Sequence, residues 1–75
     1  MISLRQQDPR ILAYLDAVVV NGIRPSPDDP KVLMNNRVYR VRDVVDRELN
    51  LRLTGIAPQR LTFEDERGME YVKSF

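Results

Sequence analysis

The stretch Leu49-Asn50-Leu51-Arg52-Leu53-Thr54-Gly55-Ile56 alternates apolar and polar side chains from Leu49 to Thr54. A period of two marks a strand with one buried face, which points Leu51 and Leu53 inward and Arg52 outward. Gly55 breaks the alternation and lets Ile56 change face, as a bulge does. Downstream, Ala57-Pro58-Gln59 reads as a turn. Leu61 and Phe63 then alternate with Thr62 and Glu64, giving a second strand. Asp65-Glu66-Arg67-Gly68 is a four-residue connection with glycine placed for a left-handed conformation. Met69 to Phe75 is the return strand, with Met69, Tyr71 and Lys73 on one side.

Upstream, Lys31 to Met34 reads as a short strand and Arg37 to Val41 as its return. Asn35-Asn36 joins them, because asparagine tolerates the positive φ that a two-residue hairpin demands. Val38 and Val41 are predicted to point inward. Asp43 to Glu48 is open to three readings: strand, single helical turn or loop. Pro25-Ser26-Pro27-Asp28-Asp29-Pro30 is a loop, since its prolines fit neither a helix interior nor a central strand. Val18, Val19 and Val20 favour a strand over 18–24, in which Asn21-Gly22 is a bulge or a turn. Asp8-Pro9 starts a helix over about 8–17, with Asp8 capping free amides and Pro9 at the first helical position. Ile11, Leu12, Leu15 and Val18 recur at helical spacing and are assigned to the core. Ser3 and Gln6 also match the spacing of a capping box.

The fold class that follows is mostly β with one N-terminal helix. Five or six strands form a small twisted antiparallel meander or a partly open barrel, in a single domain spanning 1–75. With 75 residues there is room for one compact core and little protein to wall off a deep active site. Apolar residues at 43% and charged residues at 31% fit a folded domain. The net charge of +1 builds no broad field, so neither nucleic acid nor an anionic membrane is an obvious partner. The longest apolar run, Ala17 to Val20, is far short of the roughly 20 residues of a membrane span. Met1-Ile2-Ser3-Leu4-Arg5 lacks the apolar core of a secretory signal.

Histidine and cysteine are both absent. The commonest general base, metal ligand and thiol nucleophile go with them, so no catalytic, cofactor or metal site is expected. Asp28 and Asp29 are read as solvated turn residues, since their spacing matches no calcium loop. Glu64, Asp65 and Glu66 sit at a hairpin tip and are likewise read as solvated. Arg37, Tyr39, Arg40 and Arg42 interleave basic and aromatic residues, a pattern found where small barrels stack bases and pair phosphates. The plainer reading places them on an outer face, with Asp43 and Asp46 offsetting their charge.

From Val20 to Phe75 the order of segments resembles the periplasmic homology-region domain of type II secretion and pilus-assembly inner-membrane components. The matching segments are Val32 to Val45 (Val-Leu-Met-Asn-Asn-Arg-Val-Tyr-Arg-Val-Arg-Asp-Val-Val), then Leu51 to Ile56, then Leu61 to Val72. That family places a glycine before the aspartate, where this chain has Arg42, and its turn is more often Asn-Gly than Asn-Asn. The resemblance implies a periplasmic fragment of a membrane-anchored protein. Such a fragment would dock onto a secretin or another assembly component through an exposed strand, and the membrane would be reached only through a segment outside this chain. If the chain is instead a complete protein, the cytoplasm is expected.

The function expected is therefore a non-catalytic protein–protein interaction module, an adaptor or assembly domain of a bacterial envelope system, with self-association as a further option. The alternative is a small barrel for single-stranded nucleic acid. Arg37, Tyr39, Arg40 and Arg52 are the expected partner-binding residues.

Overall fold

The computed structural model describes residues 7–75; the Ser3–Gln6 capping pattern lies outside them. Helix α1 spans Pro9–Ala17. Seven strands follow: β1 Val20–Arg24, β2 Lys31–Met34, β3 Arg37–Arg40, β4 Val44–Asp46, β5 Leu51–Ala57, β6 Arg60–Glu64 and β7 Glu70–Ser74. The chain is mostly β with one N-terminal helix, as expected. Among the described residues the strands number seven and divide into two antiparallel sheets, β1-β2-β3 and β4-β5-β6-β7, neither closed into a barrel.

Local chemistry accounts for most boundaries. Asp8 caps α1 by accepting the Arg10 N–H at 2.9 Å, and Pro9 occupies the first helical position. The helix ends where β-branched Val18 turns extended. Asn21 is the extra residue of a bulge in β1, since Val20 faces Met34 and Gly22 faces Leu33. Asn35 and Asn36 have φ of 51° and 63°, as a two-residue hairpin with both central residues left-handed requires. Leu53 faces Phe63 while Gly55 faces Thr62, so the chain bulges at Thr54, beside the glycine that marked it in the sequence. Gly68 takes φ 81° in the final hairpin. Asp43 to Glu48 resolves into the short strand β4 and a turn closed by the Asn50 N–H on the Arg47 carbonyl.

One core serves both sheets. Ile11, Leu15 and Val18 of the helical segment meet Val32 and Met34 of β2, Val45, Leu51, Leu53, Leu61, Phe63 and Tyr71. Each large apolar side chain fully buried here contributes about 1.5–3 kcal/mol. The alternation of β5 is confirmed, with Leu51 and Leu53 buried and Arg52 exposed.

Three inward or outward assignments need correction. Leu12 is 44% exposed, and half-buried Tyr14 takes its place in the stripe Ile11, Tyr14, Leu15, Val18. Val38 is 61% exposed, while Tyr39 packs against the core. The hairpin register explains this, because Tyr39 faces buried Val32 and Val38 faces exposed Leu33. Val41 lies outside β3, in a turn, so its apolarity carried no information about strand phase. The third correction is Asp65, which is 6% exposed rather than solvated.

Candidate functional site

β3 and β4 are each the outermost strand of a sheet, and only Val41-Arg42-Asp43 separates them. That connection is a tight turn. The Asp43 N–H donates to the Arg40 carbonyl at 3.0 Å, and Asp43 Oδ2 accepts the Arg40 N–H at 2.8 Å. Arg42 takes φ 83°, the left-handed value that the third position of such a turn demands. The turn is stitched to β5, with the Arg42 N–H on the Leu53 carbonyl at 2.7 Å and the Leu53 N–H on the Asp43 carbonyl at 2.9 Å.

β3 and β4 leave this apex as the walls of an open groove of about 710 Å3. Arg37, Val38 and Tyr39 line one wall; Asp43 and Val44 line the other, with Arg47 and Asn50 beyond. The backbone of β3 has a definite polarity. In a two-residue hairpin the flanking residues exchange both hydrogen bonds, so Arg37 and Tyr39 turn their peptide groups toward β2. Val38 and Arg40 turn theirs toward the groove. Arg40 is consumed by Asp43, which leaves the Val38 N–H and C=O as the open pair on this edge. Val38 and, across the groove, Val44 at 43% exposure also present apolar side chains.

The other outer strand of the four-stranded sheet, β7, is flanked instead. α1 runs beside it, the Gln7 side-chain amide donates to the Glu70 carbonyl at 2.8 Å, and the Asp8 N–H donates to the Tyr71 hydroxyl at 2.7 Å. A helix laid along a sheet edge is one way to block strand addition.

Of the four expected partner-binding residues, the structure places Arg37 and Tyr39 in the groove. Arg52 borders a neighbouring depression with Glu64 and Glu66, which shares Val44 and Asn50 with the groove. Arg40 lies apart, on the outer face of the three-stranded sheet, with Nε 3.6 Å from Asp29 Oδ1. Asp29 also meets Lys31 Nζ at 3.2 Å, so this exposed turn residue serves in addition as a counter-ion. The Arg/Tyr interleaving of residues 37–42 is thus dispersed over a groove, an outer face and a turn. Tyr39 packs part of its side chain against the core, and only the remainder lines the groove. Val44 and Arg47 were missed in the sequence. Their segment carries charges around two valines with no decisive period, and only pairing with β5 fixes it.

Asp65 is the other polar feature of note. Its Oδ1 accepts the Arg67 and Met69 N–H groups at 2.9 and 3.0 Å, and its Oδ2 accepts the Tyr71 hydroxyl at 2.9 Å. The Arg67 guanidinium lies 3.4 Å from Oδ2. Burial works against the charge, but the hydrogen bonds from Met69, Tyr71 and Arg67 outweigh it and hold the carboxyl below its ordinary pKa. A carboxylate so fully engaged closes the hairpin and has no vacant position for acid–base work. Among the described residues no helix is long and apolar enough to cross a membrane. No family model, curated protein or solved structure matches the chain.

Proposed function

We propose that this domain is a non-catalytic protein-interaction module that receives an extended segment of another protein along β3, in the groove between β3 and β4. The observation that carries the reading is the open backbone pair of Val38, set between exposed Val38 and Val44 side chains where two sheet edges face one groove. Strand addition needs such a pair for affinity and side-chain surfaces on either side for specificity. The absence of histidine and cysteine supports a non-catalytic role.

The place of work we propose is a bacterial envelope assembly, with the domain on the periplasmic side. Support comes from the segment order over Val20 to Phe75 and from Arg42. Its φ of 83° falls at the position where the resembling family carries glycine, the residue for which that conformation costs nothing.

The test is site-specific photocrosslinking in cells that naturally carry the protein, with the photoreactive residue at position 38 and, as control, at exposed position 60. A discrete protein adduct at 38, absent at 60 and weakened by Val44→Asp, is the expected result. An envelope component in that adduct supports the proposed location. Nucleic acid in the adduct, or equal labelling at both positions, overturns the reading.

A further inference from the structure

We infer that the segment received by the β3–β4 groove is acidic, setting a carboxylate beside an apolar residue; this rests on the docking reading above and names its partner chemistry. Arg37 stands on the β3 wall of the groove and Arg47 on the far side, at the ends of the two strands away from the Asp43 apex. Among the described residues neither arginine is in an ion pair, whereas Arg10, Lys31, Arg40 and Arg67 are. The groove's own carboxylate, Asp43, lies at the opposite end, in the apex turn, where its Oδ2 accepts the Arg40 N–H. Asn50 is turned to Glu66, donating its side-chain amide at 2.9 Å. The groove therefore offers two cations without ion pairs and one open peptide pair against a single carboxylate, Asp43, at its apex.

The strand geometry orders the partner's side chains. A residue paired with Val38 lays its side chain beside Val38 and Leu33, both exposed, on the outer face of the sheet. Its two neighbours project to the opposite face, on the side of Arg37 and Tyr39. An apolar residue is favoured at the paired position and Glu or Asp at the neighbour beside Arg37, the end of the groove that Arg47 also borders. Arg–carboxylate hydrogen bonds are the stronger charge-assisted kind. Single-stranded nucleic acid shares the anionic chemistry but fits less well, because a phosphate can accept the Val38 N–H but has no donor for the Val38 carbonyl, and part of Tyr39 is packed against the core.

The experiment uses the full 15N-labelled chain and three probes: a blocked nonapeptide alternating Glu and Val, its Lys-for-Glu counterpart, and a twelve-residue oligothymidylate. Amide shifts of Val38 and Val44 report binding. The Glu peptide is expected to shift both and to bind at least about tenfold more tightly than the Lys peptide. The double variant Arg37→Glu, Arg47→Glu, with an unchanged urea midpoint to show that it folds, should reverse that order. Equal binding of both peptides at Val38 would overturn the acidic preference and leave the docking edge standing. No shift at Val38 with either peptide would overturn both readings. Tighter binding of the oligonucleotide at these amides, lost with salt, would replace the protein segment with nucleic acid.

Discussion

The Tyr71 hydroxyl donates to Asp65 Oδ2 at 2.9 Å while accepting the Asp8 N–H at 2.7 Å, so one phenol joins the last hairpin to the start of the only helix among the described residues. Helix and hairpin lie 63 positions apart in the chain at this contact. The hydroxyl serves a buried carboxylate on one side and a backbone donor at the helix cap on the other.

Removing that hydroxyl leaves the Asp8 N–H without this acceptor and takes one donor from buried Asp65, which keeps those of Arg67 and Met69. Tyr71→Phe should cost about 1–3 kcal/mol, the range for leaving buried polar groups without partners. Asp65→Asn should cost a similar amount, because the amide keeps the shape and loses the charge. The double variant should cost less than the sum of the two, since they share one hydrogen bond. Urea unfolding of the four proteins in the cycle measures this, and strict additivity would show that the contact carries no coupling.

Stability should fall at both ends of the pH scale. Asp65 and Asp8 have folded-state pKa values below the ordinary 3.8, with Asp8 held at about 2 by hydrogen bonds from the Arg10 side chain and N–H. Their contribution is present above pH 3.8 and lost as pH falls through the folded values. Tyr14 and Tyr71 are raised above 10.0, chiefly by burial, so their contribution is whole below pH 10.0 and lost as pH rises beyond it. Melting temperature should therefore be level from about pH 5 to about pH 9. Asp65→Asn should flatten the acid limb, and Tyr14→Phe should shorten the alkaline one.

Two left-handed residues, Arg42 and Gly68, measure the cost of a side chain at positive φ. Arg42→Gly relieves a φ of 83° in a side-chain-bearing residue and should stabilise by about 0.5–1 kcal/mol. The opposite change at an equivalent φ, Gly68→Ala at 81°, should destabilise by about 1 kcal/mol although nothing crowds the added methyl. Thermal melts of both variants check the pair, and a destabilised Arg42→Gly would mean that the arginine side chain matters more than the backbone.

Gly55 is constrained by contact instead of by φ. A methyl there would overlap the Thr62 hydroxyl, which bonds the Thr54 hydroxyl at 3.1 Å. Gly55→Ala should cost about 1–2 kcal/mol, in the range for overpacking. Adding Thr62→Ala should recover most of it. If the double variant is no more stable than Gly55→Ala, the bulge needs glycine for its backbone.

The strand phases can be checked by truncation. Leu53→Ala and Phe63→Ala remove fully buried side chains and should each cost about 2–5 kcal/mol. Val38→Ala and Arg52→Ala change exposed positions and should stay within about 0.5 kcal/mol. Tyr39→Ala should exceed Val38→Ala, the reverse of what apolarity alone suggests.

Local chemistry determined a good deal by itself. The Asp8-Pro9 cap, the Asn35-Asn36 turn, the alternation of Leu51 to Leu53 and the Gly68 hairpin were legible because each is settled by residues within a few positions of one another. The mostly β class follows from their sum. What needed the tertiary structure was every choice between near-equal local options. Val38 and Tyr39 are both apolar enough for a core, and only pairing with Val32 and Leu33 decides which goes in. Asp65 looks solvated in a run of acids until Tyr71, six residues on, and the two N–H groups of its own hairpin enclose it. The groove is the extreme case. It exists because two sheet edges separated by a three-residue turn are left facing one opening, and which edge lies outermost is a property of the assembled sheets that no short stretch of chain encodes.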